Sequence, residues 1–133
     1  MNWRANCGLA ACVALLALAG CGGGSDKENA EGVVRDITEA INEKDGGKFC
    51  ELVSEQSLEQ STGAQGDRAK DACEKQIDSG KTVRVKLAKI VKTEIDGDRA
   101  TVTAELEQSG RKRPQVFNLT KEDGDFKLAG ARE

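Results

Sequence analysis

Ile95-Asp96-Gly97-Asp98-Arg99-Ala100-Thr101-Val102-Thr103-Ala104-Glu105-Leu106 is the stretch whose reading decides the fold. Asp96-Gly97 is a dipeptide that tight hairpin turns select, because glycine accepts the positive φ such turns need. Beyond the turn, Ala100, Val102, Ala104 and Leu106 alternate with Thr101, Thr103, Glu105 and Glu107, the period of two of a strand with one apolar face. Before the turn, Val83, Val85 and Leu87 alternate with Arg84, Lys86 and Ala88. Ile90 and Val91 then fall together, which predicts a bulge or bend near Lys89. Ser109-Gly110 turns the chain again, and Pro114 stands where a third strand, Gln115 to Thr120, is expected to start, a position that tolerates proline. Asp123-Gly124 makes the last turn before a fourth strand, Asp125 to Ala131. The second half of the chain therefore reads as a four-stranded antiparallel meander.

The first half changes period. Ala30, Val33, Val34, Ile37, Ala40 and Ile41 recur at helical spacing and form one apolar stripe. Ser25, three residues before Glu28, has the capping-box pattern, so the helix is expected to begin near Ser25. Glu31 with Arg35, and Arg35 with Glu39, are four apart and can pair on the exposed side. Asp45-Gly46-Gly47 stops this helix, and Asp45 can cap a second one over Lys48 to Ser54, with Phe49, Leu52 and Val53 facing inward. Glu55 to Gly66 is polar, with Leu58 as its one strong anchor, and reads as a mobile loop with at most one helical turn. A third helix is expected from Asp67 to Asp78, with Ala69, Ala72, Cys73 and Ile77 on one face and Gly80 as terminator. The class is thus α+β, three N-terminal helices packed on one face of a four-stranded antiparallel sheet, since helices on such a path cover only one face.

Ahead of this domain stands a different kind of sequence. Arg4 is followed by an uncharged Ala/Leu/Val run over Leu9 to Ala19, the proportions of a signal-peptide h-region and too short for a span of roughly 20 residues. Leu18-Ala19-Gly20-Cys21 closes it and resembles the lipobox of bacterial lipoproteins, which implies cleavage before Cys21 and a lipid on its sulfur. An ordinary secretory signal, cut after Ala17-Leu18-Ala19, is the plainer alternative. The expected organisation is a lipoprotein signal peptide over 1–20, a lipidated cysteine and flexible tether over 21–26, with Gly22-Gly23-Gly24-Ser25 as its slack, and a folded domain over 27–133. The lipid would be the anchor to the cell membrane on its extracytoplasmic face.

Cys7 and Cys12 fall in the discarded leader, leaving Cys50 and Cys73 beside Cys21. In an envelope-exposed chain two such cysteines on apolar helix faces are most simply read as a disulfide, with buried free thiols or a redox or metal pair as alternatives. The spacing is not CxxC, and the chain has no histidine to complete a metal site. A net charge of −3 argues against nucleic-acid binding.

The order of elements, Cys50-Glu51-Leu52-Val53, the partner Cys73, the hairpin from Asp96 to Val102 and the closing Lys121-Glu122-Asp123-Gly124-Asp125-Phe126-Lys127-Leu128 resemble actinobacterial lipoproteins with a nuclear-transport-factor-2-like (cystatin-like) domain. The likeness covers nearly all of the chain after the leader, with Phe126 where relatives usually carry tryptophan. It implies a curved sheet wrapped against a long helix, a cone with an open mouth. It does not fix an activity, because that fold hosts isomerases, dehydratases, hydrolases and pure binding modules.

The chemistry available to this chain is narrow. With no histidine and no tyrosine, it lacks the side chain that ordinarily titrates near neutral pH and a phenol to polarise a carbonyl. A carboxylate buried in the cone could still act as a base in an isomerase-like or hydrolase-like enzyme, although every Asp and Glu falls at a turn or on a solvent-facing position. No cofactor motif, phosphate loop or metal cluster is present in the sequence. The expectation is a non-catalytic envelope protein that binds a small apolar ligand in the cone or a protein partner on the sheet. One uneven feature accompanies it: the helical half is acidic and the sheet half basic, with Arg84, Lys86 and Lys89 along the first strand and Arg111, Lys112 and Arg113 at a hairpin. These six are a candidate anionic contact for lipid headgroups or an acidic ligand or partner, or simply a solvated strand surface that protects an edge.

Overall fold

The structure, a computed structural model, describes residues 22–81 and 84–133. The leader, Cys21 and the expected strand position Val83 lie outside the described residues. Four helices, α1 (Gly22–Glu43), α2 (Gly46–Glu51), α3 (Glu55–Thr62) and α4 (Asp67–Ser79), precede four strands, β1 (Val85–Asp96), β2 (Arg99–Gln108), β3 (Arg111–Glu122) and β4 (Asp125–Arg132). The strands form one sheet in the order β1-β2-β3-β4, each neighbour antiparallel. The turns sit where the sequence places them. Gly97 takes φ 57°, and the pairs Ser109-Gly110 and Asp123-Gly124 are both left-handed, as tight hairpins require. The β1–β2 register slips between Leu87 and Lys89 and again between Ile90 and Lys92, which is the bend expected near Lys89.

The apolar stripe of α1 meets one face of the sheet. Ala30, Val33, Val34 and Ile37 bury against Ala100, Val102 and Ala104 of β2, Phe117 and Leu119 of β3, and Phe126 of β4. Two asparagines pin the helix to the two outer strands. Near its end, Asn42 Oδ1 accepts from Val85 N at 2.8 Å while its Nδ2 donates to Val85 O at 2.6 Å, so the amide stands where a neighbouring strand would. Near its start, Asn29 Oδ1 accepts from Phe126 N at 3.1 Å, and Asp26 pairs with Lys121 at 3.0 Å. These contacts hold the first turns of the helix on the β3–β4 hairpin. Accordingly α1 begins at Gly22 and takes in Gly22-Gly23-Gly24-Ser25, the stretch expected as a flexible tether, leaving Ser25 inside the helix rather than at its cap.

Three further expectations are corrected. Among the described residues four helices, not three, precede the sheet, because the polar stretch after Glu55 is helical: Ser54 accepts from Ser57 N as its N-cap, Leu58 buries, and Gly63 ends it at φ 70°. The second helix spans Gly46–Glu51 rather than Lys48 to Ser54, since Ser54 leaves it to cap the next; Asp45 caps it as expected, accepting from Lys48 N at 2.9 Å. Strand β3 begins at Arg111, with Pro114 inside it opposite Glu105. The β4 partners of β3 reach only Val116, so one side of β3 is unpaired at Pro114, where a missing N–H is tolerated. On the surface, Arg35 pairs with Glu31 at 3.5 Å, and Glu39 pairs with Lys48 at 2.9 Å. That hydrogen bond to Glu39 raises the Lys48 amine above its ordinary pKa.

Gly46 does more than stop α1. Its N–H donates to Asp78 Oδ1 at 3.1 Å, and a Cβ built there would lie 2.7 Å from both that oxygen and the Glu74 carbonyl. Only glycine lets α2 lie this close to the backbone of α4. Gly46→Ala is expected to lower stability by about 1–3 kcal/mol through overpacking, measured by urea unfolding. A change below 0.5 kcal/mol would mean that α4 shifts freely.

Candidate functional site

The space beneath α1 is occupied by side chains: the residues that would line a cone, Val34, Val102, Leu119 and Phe126, are all fully buried against one another. The open apolar space lies beside it. Residues 52–57 run along the outer edge of β4, where Ser54 N donates to Leu128 O at 2.9 Å, Leu128 N donates to Leu52 O at 2.7 Å, and Ser57 Oγ donates to Ala129 O at 2.8 Å. This closes an otherwise free sheet edge and fixes α3 over it. Cys50 of α2 and Cys73 of α4 form a disulfide with Cα atoms 6.1 Å apart, as the sequence suggests. Cys50, Leu58, Ala69 and Cys73 then make a second small core.

Between these helices and β4 is an open groove of about 490 Å³, lined by Phe49, Val53, Leu58, Cys73, Ile77 and Leu128, with Ser57, Gln60, Ser61 and Gln76 supplying polar groups. None of its lining residues is charged. The pieces were visible in sequence as the inward Phe49 and Val53 and the α4 face of Cys73 and Ile77. The α3 wall was not, because Leu58 alone does not reveal a helix; the readable signal was Ser54 as its cap. Outside the groove Lys70 pairs with Glu51 at 3.1 Å, and this hydrogen bond raises the Lys70 pKa.

Among the described residues the buried polar side chains are Thr38 and Ser54, and both are satisfied. Thr38 donates to Val34 O at 2.8 Å, and Ser54 Oγ meets Ser57 Oγ at 2.8 Å. Every described carboxylate is at least partly exposed. Among the described residues no group of three or more His, Cys, Asp or Glu side chains is arranged to hold a metal, and no helix is long and apolar enough to cross a membrane.

The six basic residues read from the sequence gather at one end of the sheet. Lys86 stands opposite Glu107, which in turn stands opposite Lys112. Lys89 and Lys112 both approach Glu105, at 3.6 and 3.9 Å, and Arg113 approaches Glu133 at 3.6 Å. Arg84 and Lys86 border a second cleft of about 500 Å³ with Asn42, Glu43, Glu107, Ser109 and Gly110. The patch is therefore basic but interleaved with acid.

No protein-family model and no curated protein matches the chain by sequence. Among solved structures, it is similar to an NTF2-like protein of unknown function from Shewanella baltica OS155, with 16% identity, TM-score 0.58 and coverage of 83% of this chain and 93% of that one. It is similar to a domain of unknown function with a cystatin-like fold from Nostoc punctiforme PCC 73102, with 17% identity, TM-score 0.57 and coverage of 80% and 75%. A Streptomyces avermitilis protein provisionally named a dehydratase of the NTF2-like family aligns with 14% identity, TM-score 0.53 and coverage of 83% and 95%. Helices that cover one face of an antiparallel meander, in this chain order and with these neighbours, give the chain the NTF2-like, cystatin-like α+β fold.

Proposed function

We propose that this protein is held to the extracytoplasmic face of the cell membrane by a lipid on Cys21 and binds a small, uncharged, apolar ligand in the groove between α2, α3, α4 and β4, without catalysis. The observation that carries the reading is the groove itself, about 490 Å³ with an apolar floor and only neutral polar groups on its walls. That volume lies within the roughly 300–1,000 Å³ of small-molecule sites. The neutral lining disfavours a charged ligand, whose desolvation would go uncompensated. An isomerase-like or hydrolase-like enzyme would need a buried carboxylate, and the buried polar groups among the described residues are hydroxyls. A protein partner on the exposed sheet face is the second binding reading; its support is the single face that the helices leave uncovered.

Mass spectrometry of the protein extracted from its own membranes tests this. Denaturing spectra are expected to report a diacylglyceryl mass on Cys21, and native spectra a further small-molecule adduct. Ile77→Trp, which fills the groove from α4, is expected to abolish the adduct with the lipid unchanged. An empty native protein, or an adduct indifferent to Ile77→Trp, would reject the groove as the site.

A further inference from the structure

The molecule has two electrostatic poles, one at each end of α1. At the start of the helix, Asp26 pairs with Lys121, Asn29 meets Asp125, and Lys121 N donates to Asp98 O, so both outer hairpin tips, rich in Asp96, Asp98, Asp123 and Asp125, converge there. At the other end Asn42 holds Val85, beside Arg84, Lys86 and the Arg111-Lys112-Arg113 start of β3. We propose that the cleft between the end of α1 and the start of β1 docks an acidic segment of a protein partner standing clear of the membrane, with Arg84 and Lys86 receiving its carboxylates.

Two observations favour a protein over lipid headgroups. The first rests on the reading that Cys21 carries the anchor. Helix α1 begins at Gly22, next to the anchoring position, and its cleft end lies roughly 30 Å away along the axis at 1.5 Å per residue. For a helix standing upright on its anchor, that distance exceeds the roughly 8 Å over which headgroup charge is felt at physiological salt. The second is independent of the anchor. Glu43 and Glu107 sit in the cleft with Arg84 and Lys86, so a uniform polyanion is repelled at two points, whereas a peptide of mixed character can place a carboxylate on each base and a donor on each acid. Among the described residues, Arg84 and Lys86 have no ion-pair partner within 4.0 Å, which leaves both charges available.

The full-length protein, carried in phosphatidylcholine or phosphatidylglycerol nanodiscs, is applied to a peptide array that presents Glu-Glu pairs in varied flanks and the matched Gln-Gln array. Binding is expected on a subset of Glu-Glu spots, equal in the two disc types and absent from the Gln-Gln array. R84E/K86E is expected to weaken it at least tenfold with its unfolding midpoint unchanged. The proposal is overturned by no binding on any spot, by binding that ignores R84E/K86E, or by binding lost only in phosphatidylglycerol discs, which would place the basic pole on the bilayer. A chain that does not enter discs fails the anchor reading alone; the array probed with that chain in buffer still decides the cleft.

Discussion

Phe126→Ala is expected to lower the unfolding free energy by about 3–5 kcal/mol, the range for removing a fully buried aromatic. The chain has three phenylalanines and no tyrosine, so Phe126 carries an unusual share of the core volume. It is 1% exposed and closes the core between α1, β3 and β4. Its backbone N–H is held by Asn29 at 3.1 Å, and Lys121 lies over its ring at 5.2 Å from the centroid. Neither partner lets the strand collapse into the vacated space, since Asn29 is fixed on α1 and Lys121 is paired with Asp26. Denaturant unfolding checks the value, and Phe126→Leu, which restores most of the volume, is expected to recover more than half of the loss. A loss below about 1.5 kcal/mol for the alanine would mean that the α1–β4 contact relaxes and that this end of the core is soft.

The parts of this fold legible in sequence are those whose period is set by one buried face. The α1 stripe, the β2 alternation and the three hairpin turns each repeat a signal over several residues, and each is found where it was read. The parts that were not legible depend on one residue meeting another far away. Asn29 and Asn42 look like ordinary polar positions on a helix surface, yet each substitutes for a strand neighbour at a sheet edge. Ser54 reads as the last residue of the second helix, yet it is buried, caps α3 and bonds to β4 through its backbone. The same limit governs the sites. The sequence marked the six basic residues and both cysteines, but it could not show that Glu43, Glu105 and Glu107 are set among the bases, or that the apolar opening lies beside α3 rather than under α1.

Loss of the Cys50–Cys73 disulfide is expected to cost about 3 kcal/mol in the chain-entropy model for a loop of this length, and to loosen the groove as well as the fold. The bond joins α2 to α4 across the segment that contains all of α3. Cys73 itself lines the groove, so the cross-link is part of its wall. Within this second core only Leu58 is large among the four buried residues, and burying a leucine contributes about 1.5–3 kcal/mol. Partly buried Phe49, Val53, Ala64 and Ile77 pack around it, and the cross-link reinforces this small core. C50A/C73A is expected to lower the urea midpoint accordingly and to weaken binding of Nile red, an uncharged apolar dye, at least fivefold while the protein is still folded. The two readouts separate two roles. A stability loss with dye binding intact would make the bond a staple for a groove that α3 and β4 already hold open, whereas weakened binding at unchanged stability would make it the element that sets the spacing of α2 and α4. Dithiothreitol applied to the unmutated chain should reproduce the double variant, because reduction removes the same constraint without removing the sulfur atoms from the groove wall.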